Sequence, residues 1–149
     1  MNDYKEARKE IVQKVKDSFN RQEFMHFIGA RLTVLKDGYC EIELDHKKEL
    51  SQQHGFFHAG IIGSLADNAA GYAAFSKMEP DSSILSVEFK INLMSPGDGE
   101  KLIAKAYVIK HGRTLTVCRS DVYIVKDAVE KLCAASQTTL IELKNRKDS

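Results

Sequence analysis

No apolar stretch in this chain reaches the roughly 18 residues that a membrane-spanning helix requires. Met1 is followed by Asn2-Asp3-Tyr4-Lys5-Glu6 and not by a basic-then-apolar leader, so a cytoplasmic location is the default expectation. Charge of one sign is also missing. The 22 basic and 21 acidic residues leave a formal charge of +1 and are spread along the chain, which gives no global field for nucleic acid or an anionic bilayer. Any anion site must be local. Cysteine is sparse: Cys40, Cys118 and Cys133 are odd in number, isolated and set within strand-like runs. They read as small core residues in a reducing compartment, not as a disulfide set or a zinc site. The five scattered histidines have no metal-ligand spacing.

What is present suits one ordinary core. At 149 residues, with 43% hydrophobic and 29% charged residues, the whole chain from 1 to 149 is expected to form a single domain. Ile11, Val12, Val15 and Phe19 recur at helical spacing among charged residues, predicting an amphipathic helix from about 4 to 21. The runs 30–35 and 39–44 flank Asp37-Gly38, a dipeptide suited to a tight hairpin turn. A long helix is expected over roughly 59 to 77. After Pro80-Asp81-Ser82, strands are expected over 84–93, 102–110, 114–125 and about 131–143, read as four consecutive antiparallel strands. Ala104, Ala106, Thr116, Cys118, Ser120, Ala134, Ser136 and Thr138 are small and alternate along their strands. A curved sheet gripping a helix of Gly and Ala follows, which is an α+β fold.

Asp67 is the residue that points to chemistry. It is a lone carboxylate in the apolar run from Ala59 to Phe75, and a buried carboxylate is costly unless it is partnered or used. Its helical neighbours Gly63, Ser64, Ala70 and Gly71 are nearly free of bulk, so another molecule can approach it closely. The structural alternative is an acid satisfied by Ser64 or Asn68.

The segment from Gln52 to Phe75, with His58-Ala59-Gly60 and an acid nine positions after the histidine in Leu65-Ala66-Asp67-Asn68, resembles the H-G-G…L-[AV]-D signature of hotdog-fold acyl-CoA thioesterases. The likeness is to the phenylacetate-pathway and mammalian thioesterase-superfamily branch. It extends through Leu85-Ser86-Val87, Met94-Ser95-Pro96 and Lys110-His111-Gly112-Arg113-Thr114-Leu115, and upstream to the Asp37-Gly38 hairpin. The resemblance implies that Asp67 is the general base or the nucleophile toward a thioester. It also implies that the Gly60 N–H, unpaired in the first helical turn, donates to the developing oxyanion. His58 is expected to shape the turn or to hydrogen-bond near the carbonyl. Gln52 stands where the family usually has Asn, Ala59 stands at the middle Gly, and Ser86 matches a position that holds the attacking water.

Toward the far end of the substrate, the resemblance puts Ser95, Lys110, His111, Arg113 and Thr114 at coenzyme A, with the Lys110/Arg113 turn near the Ser95-Pro96 turn and reaching phosphates. Phe56, Phe57, Tyr72 and Phe75 are candidates for an acyl tunnel or for plain core. No metal or redox cofactor is expected, since coenzyme A belongs to the substrate. The expected partners are acyl-CoA and a second copy of the chain, as a homodimer or as paired dimers in a tetramer, with Asp67 of one chain working with Ser86 of the other. A dehydratase or hydratase of the same fold resembles its relatives through a Pro-rich loop before the helix, and no proline lies between Met1 and Glu79. A non-catalytic acyl-CoA sensor is the alternative from another class, although the N-terminal helix is too short for a helix-turn-helix.

Overall fold

The computed structural model describes residues 3–148. Helix α1 (Lys9–Asn20) buries Ile11, Val15 and Phe19, the apolar stripe seen in the sequence, but it is shorter than expected. A second helix, α2 (Glu23–Ile28), follows at once; it buries Met25 and Ile28 and ends on Gly29 at φ 84°. Positive φ is ordinary for glycine, so Gly29 stops the helix cheaply.

Strands β1 (Arg31–Lys36) and β2 (Tyr39–Asp45) form the expected hairpin, with Gly38 at φ 78° in the turn. Helix α3 (Ala59–Phe75) then crosses the concave face of the sheet. Strands β3 (Ser83–Leu93), β4 (Lys101–His111), β5 (Leu115–Lys126) and β6 (Val129–Leu143) complete six strands in the order β1-β2-β4-β5-β6-β3. Strands β4, β5 and β6 form the expected antiparallel meander, but β3 does not pair with β4. It pairs with β6, at the opposite edge from the first hairpin. The physical reason lies in residues 94–100. Pro96 has no N–H to give a ladder, and the Gly97 carbonyl accepts the Phe57 N–H at 2.9 Å, so the segment docks under the start of α3 and not into a hairpin. The tight turn at Asp127-Ala128, both at positive φ, shows the contrasting case.

The small strand residues have the place the sequence assigned them. Ala104, Ala106, Thr116, Cys118, Ser120, Ala134, Ser136 and Thr138 are all buried, as are Ala66, Ala69, Ala70, Ala73 and Ala74 of α3. Small side chains on both sides bring helix and sheet into close contact, and the large side chains Phe75, Leu65, Ile42 and Leu102 fill the remaining space. This is the hotdog arrangement. The three cysteines are buried in it and unpaired, and burial pushes Cys118 up to about 12 and Cys133 up to about 11, which leaves both as unreactive thiols at neutral pH.

Edge strand β3 is unlike the rest. Leu85, Val87, Phe89 and Leu93, with Met94 just beyond, are each about half exposed. A long apolar edge with unpaired backbone groups is a template for another strand. A bulge at Val87 shifts its register, so that Ser86 lies opposite Leu140 and Phe89 opposite Thr138, both on the side facing α3.

Candidate active site

Asp67 sits half-buried on the flank of α3 that looks toward β3. Its Oδ1 accepts a hydrogen bond from Ser86 Oγ at 2.8 Å. The two residues belong to the same chain, which corrects the expectation that Ser86 would come from a partner. The Val87 bulge is the cause, because it sets the phase in which Ser86 faces the helix. The structural alternative for Asp67 also falls away: Ser64 Oγ donates to Gly60 O at 2.8 Å, and Asn68 Nδ2 donates to Gln22 Oε1 at 3.0 Å. Burial raises the Asp67 pKa above the ordinary carboxylate value, partly offset by the Ser86 hydrogen bond that favours the charged form.

A cavity of about 450 Å³ opens at this carboxylate. Ile84, Leu140 and Gly71 give it an apolar side, while Ser18, Gln22, Asn68 and Tyr72 give it a polar one. Gln22 Nε2 donates to Tyr72 Oη at 2.6 Å, and Ser18 Oγ lies 3.1 Å from the same oxygen. The sequence reading missed this wall because it missed α2. The signal was present in Met25 and Ile28 three residues apart, followed by Gly29.

The other sequence-predicted residues fall at two further places. At the start of α3, His58 is the N-cap, and its Nδ1 accepts the Gly60 N–H at 2.9 Å. Gly60 therefore does not carry the unpaired N–H that was expected, because the neighbouring imidazole takes one of the orphan donors of the first turn. His58, Ala59 and Gly60 are exposed. Ala59 begins the helix and is not among the residues at positive φ, so alanine in place of the family's glycine strains nothing here. Gln52 and Ser95 line a second cavity, of about 490 Å³, together with Phe56, Ala59 and Leu93. Phe57, Tyr72 and Phe75 are all buried in the core, and of the four aromatic candidates Phe56 and Phe57 also line the second cavity and Tyr72 the first.

The third place is the β4–β5 turn. Lys110, His111, Arg113 and Thr114 are exposed there, with His111 Nδ1 2.8 Å from Thr116 Oγ1 and the Thr114 carbonyl accepting the Glu142 N–H at 3.1 Å. This turn is not near Ser95-Pro96, as was expected. Leu93 pairs with Ala134 and Leu115 with Ile141, so seven residues of β6, roughly 23 Å, separate the two turns within one chain. The start of α3 is likewise apart from Asp67, since the seven helical residues from Gly60 to Asp67 rise about 10 Å. Within one chain the sequence-predicted residues thus fall into two separated groups, Asp67 with Ser86 toward one end of β3 and Gln52, Gly60 and Ser95 toward the other.

The raised pKa of Asp67 gives a stability prediction. A carboxyl group whose folded pKa exceeds its unfolded value opposes folding once ionised; the cost is absent below the unfolded value, about 3.9, and grows as pH rises through the folded one. Asp67→Asn is expected to melt above the native protein at pH 7, with the gap closing toward pH 4. Melting curves across that range check it, and a lower melting point at pH 7 would count against a strained, functional carboxylate.

Comparison with known proteins agrees with the fold. Residues 54–131, from just ahead of α3 into β6, match the thioesterase superfamily. A solved thioesterase-family protein from Silicibacter pomeroyi is 45% identical, with 90% of this chain and 98% of that one covered at a TM-score of 0.89. The 1,4-dihydroxy-2-naphthoyl-CoA hydrolase of Listeria monocytogenes is 27% identical over 120 residues, covering 80% of this chain and 95% of the relative. Human acyl-coenzyme A thioesterase 13 is 31% identical over 101 residues, covering 67% and 69%. The chain with its half-buried Asp67 on the central helix belongs to the thioesterase superfamily.

Proposed function

We propose that this protein hydrolyses acyl-CoA thioesters, with the ionised Asp67 carboxylate as general base or nucleophile. The observation that carries the reading is a half-buried carboxylate on a helix surface bare of bulk, hydrogen-bonded to Ser86 and opening onto a cavity. The names of the hydrolase and thioesterase relatives support acyl-CoA as the substrate class. In the water route, Asp67 takes a proton from water as its oxygen attacks the thioester carbon. The C–S bond then breaks, and the proton passes to the departing thiolate.

The oxyanion donor is assigned to the start of α3. The Gly60 N–H exchanges the His58 ring, which is exposed, for the substrate oxygen, and the positive end of the helix dipole favours that charge. Because Gly60 lies about 10 Å from Asp67 in its own chain, the assignment requires a second chain. Two β3 edges paired antiparallel about a two-fold axis set Gln52, Gly60 and Ser95 of one chain beside Asp67 and Ser86 of the other. The same pairing covers Leu85, Val87 and Phe89, and it moves the Lys110/Arg113 turn of one chain toward the Ser95 turn of its partner, where both cations serve the coenzyme A phosphates as charge-assisted donors.

Two measurements test this reading. Asp67→Asn is expected to lose about 10²- to 10⁴-fold in kcat for thiol release, and native kcat/KM is expected to fall with acid as the carboxylate is protonated, at a pH above that of an ordinary aspartate. Near-normal turnover in the variant would remove the catalytic assignment. Separately, Val87→Lys should convert a dimer seen by sedimentation at low micromolar concentration into monomers with little activity; a fully active monomer would contradict the shared site.

A further inference from the structure

Asp67 and Gly71 lie one helical turn apart on one stripe of α3, and Asn68 and Tyr72 lie on the next. An acyl group entering beside Asp67 therefore runs over the bare backbone at Gly71, with Ile84 and Leu140 on its apolar side. It then meets the wall of Gln22, Asn68, Tyr72 and Ser18, and the cavity lining also includes Arg21 and Asp148, which satisfy one another as an ion pair at 2.8 Å. The four wall residues tie the end of α1 and the start of α2 to α3, but their hydrogen-bonding capacity is not used up by one another. Asn68 Nδ2 carries two hydrogens and gives one to Gln22 Oε1. The Tyr72 oxygen has two lone pairs and accepts one hydrogen bond from Gln22 Nε2; with its own hydrogen given to Ser18 Oγ at 3.1 Å, one of the two directions that contact allows, the second lone pair stays open. One donor and one acceptor are left over in a wall shared with the catalytic cavity. An alkyl chain seated there strips water from both groups and returns nothing, whereas a hydroxyl, which donates and accepts, fits both. The rise from Asp67 to Gly71 and Tyr72 is roughly 6–8 Å, about the reach of a five- or six-carbon chain.

We propose that the cavity beside Asp67 selects short acyl groups that end in a hydroxyl, read by Asn68 and Tyr72, and discriminates against plain and long alkyl chains. The inference rests on the thioesterase reading and names the substrate class of that same site. Its test is the ratio of kcat/KM for 6-hydroxyhexanoyl-CoA to that for hexanoyl-CoA, with decanoyl-CoA as a third substrate and thiol release as the readout. The native protein is expected to favour the hydroxylated chain by about tenfold or more, the scale of one to two hydrogen bonds. Tyr72→Phe and Asn68→Ala should each pull the ratio down toward one, with melting curves verifying that both variants are folded. A ratio near one in the native protein, faster turnover of decanoyl-CoA, or a ratio unchanged in both folded variants would overturn the proposal while leaving the thioesterase reading in place. Absence of thiol release from all three substrates would remove the thioesterase reading, and this inference with it.

Discussion

The close approach of α3 to the concave sheet is the constraint on which the rest of the structure depends. Glycine and alanine on the helix meet alanine, serine, threonine and cysteine on β4, β5 and β6. With small side chains at most of the facing positions, helix and sheet hold one another at close range. Hydrophobic packing alone suffices to stabilise this interface. Its consequence for function is positional: the flank of α3 that looks toward edge strand β3 is bare of bulk around Asp67, and a cavity opens there. A carboxylate there is neither fully solvated nor fully satisfied, and its raised pKa expresses both facts.

The same packing explains why the start of α3 and Asp67 lie apart within one chain. A straight helix of 17 residues places its N-terminus, an anion-favouring end, well away from a carboxylate in its middle. Folding one chain cannot bring them together. Edge strand β3 carries a row of half-exposed apolar side chains along the boundary between them. In the assembly proposed above, a two-fold related copy pairs with this edge and brings the start of its own α3 beside Asp67.

Much of this was legible in the sequence, and what was not has identifiable physical reasons. The Asp37-Gly38 hairpin, α3 and the β4–β6 meander follow from local turn chemistry and periodicity, which act over a few residues. Asp67 was legible because a single charge in an apolar run is a local anomaly. Helix α2 was not, since six residues are too few to show a period; Met25 and Ile28 three residues apart and the closing Gly29 were its only marks. The placement of β3 beside β6 depends on where residues 94–100 dock, which is a contact with Phe57 far away in the chain. The Ser86 contact with Asp67 depends on a one-residue bulge that no alternation pattern reveals. The capped Gly60 N–H depends on a rotamer of His58. In each case a nonlocal or single-residue geometric event decided the outcome.

The central claim, a site shared between two chains, is tested most directly by mixing two inactive variants. Asp67→Asn removes the carboxylate, and Gly60→Pro removes the N–H at a helical position where proline is tolerated. Refolded together in equal amounts, half of the dimers pair one chain of each kind, and each such dimer has one intact site, made from Asp67 of the proline variant and Gly60 of the asparagine variant. The account predicts that the mixture recovers about a quarter of native activity by this pairing statistic while each variant alone stays inactive. A mixture as inactive as its components, with mixed dimers verified, would contradict it.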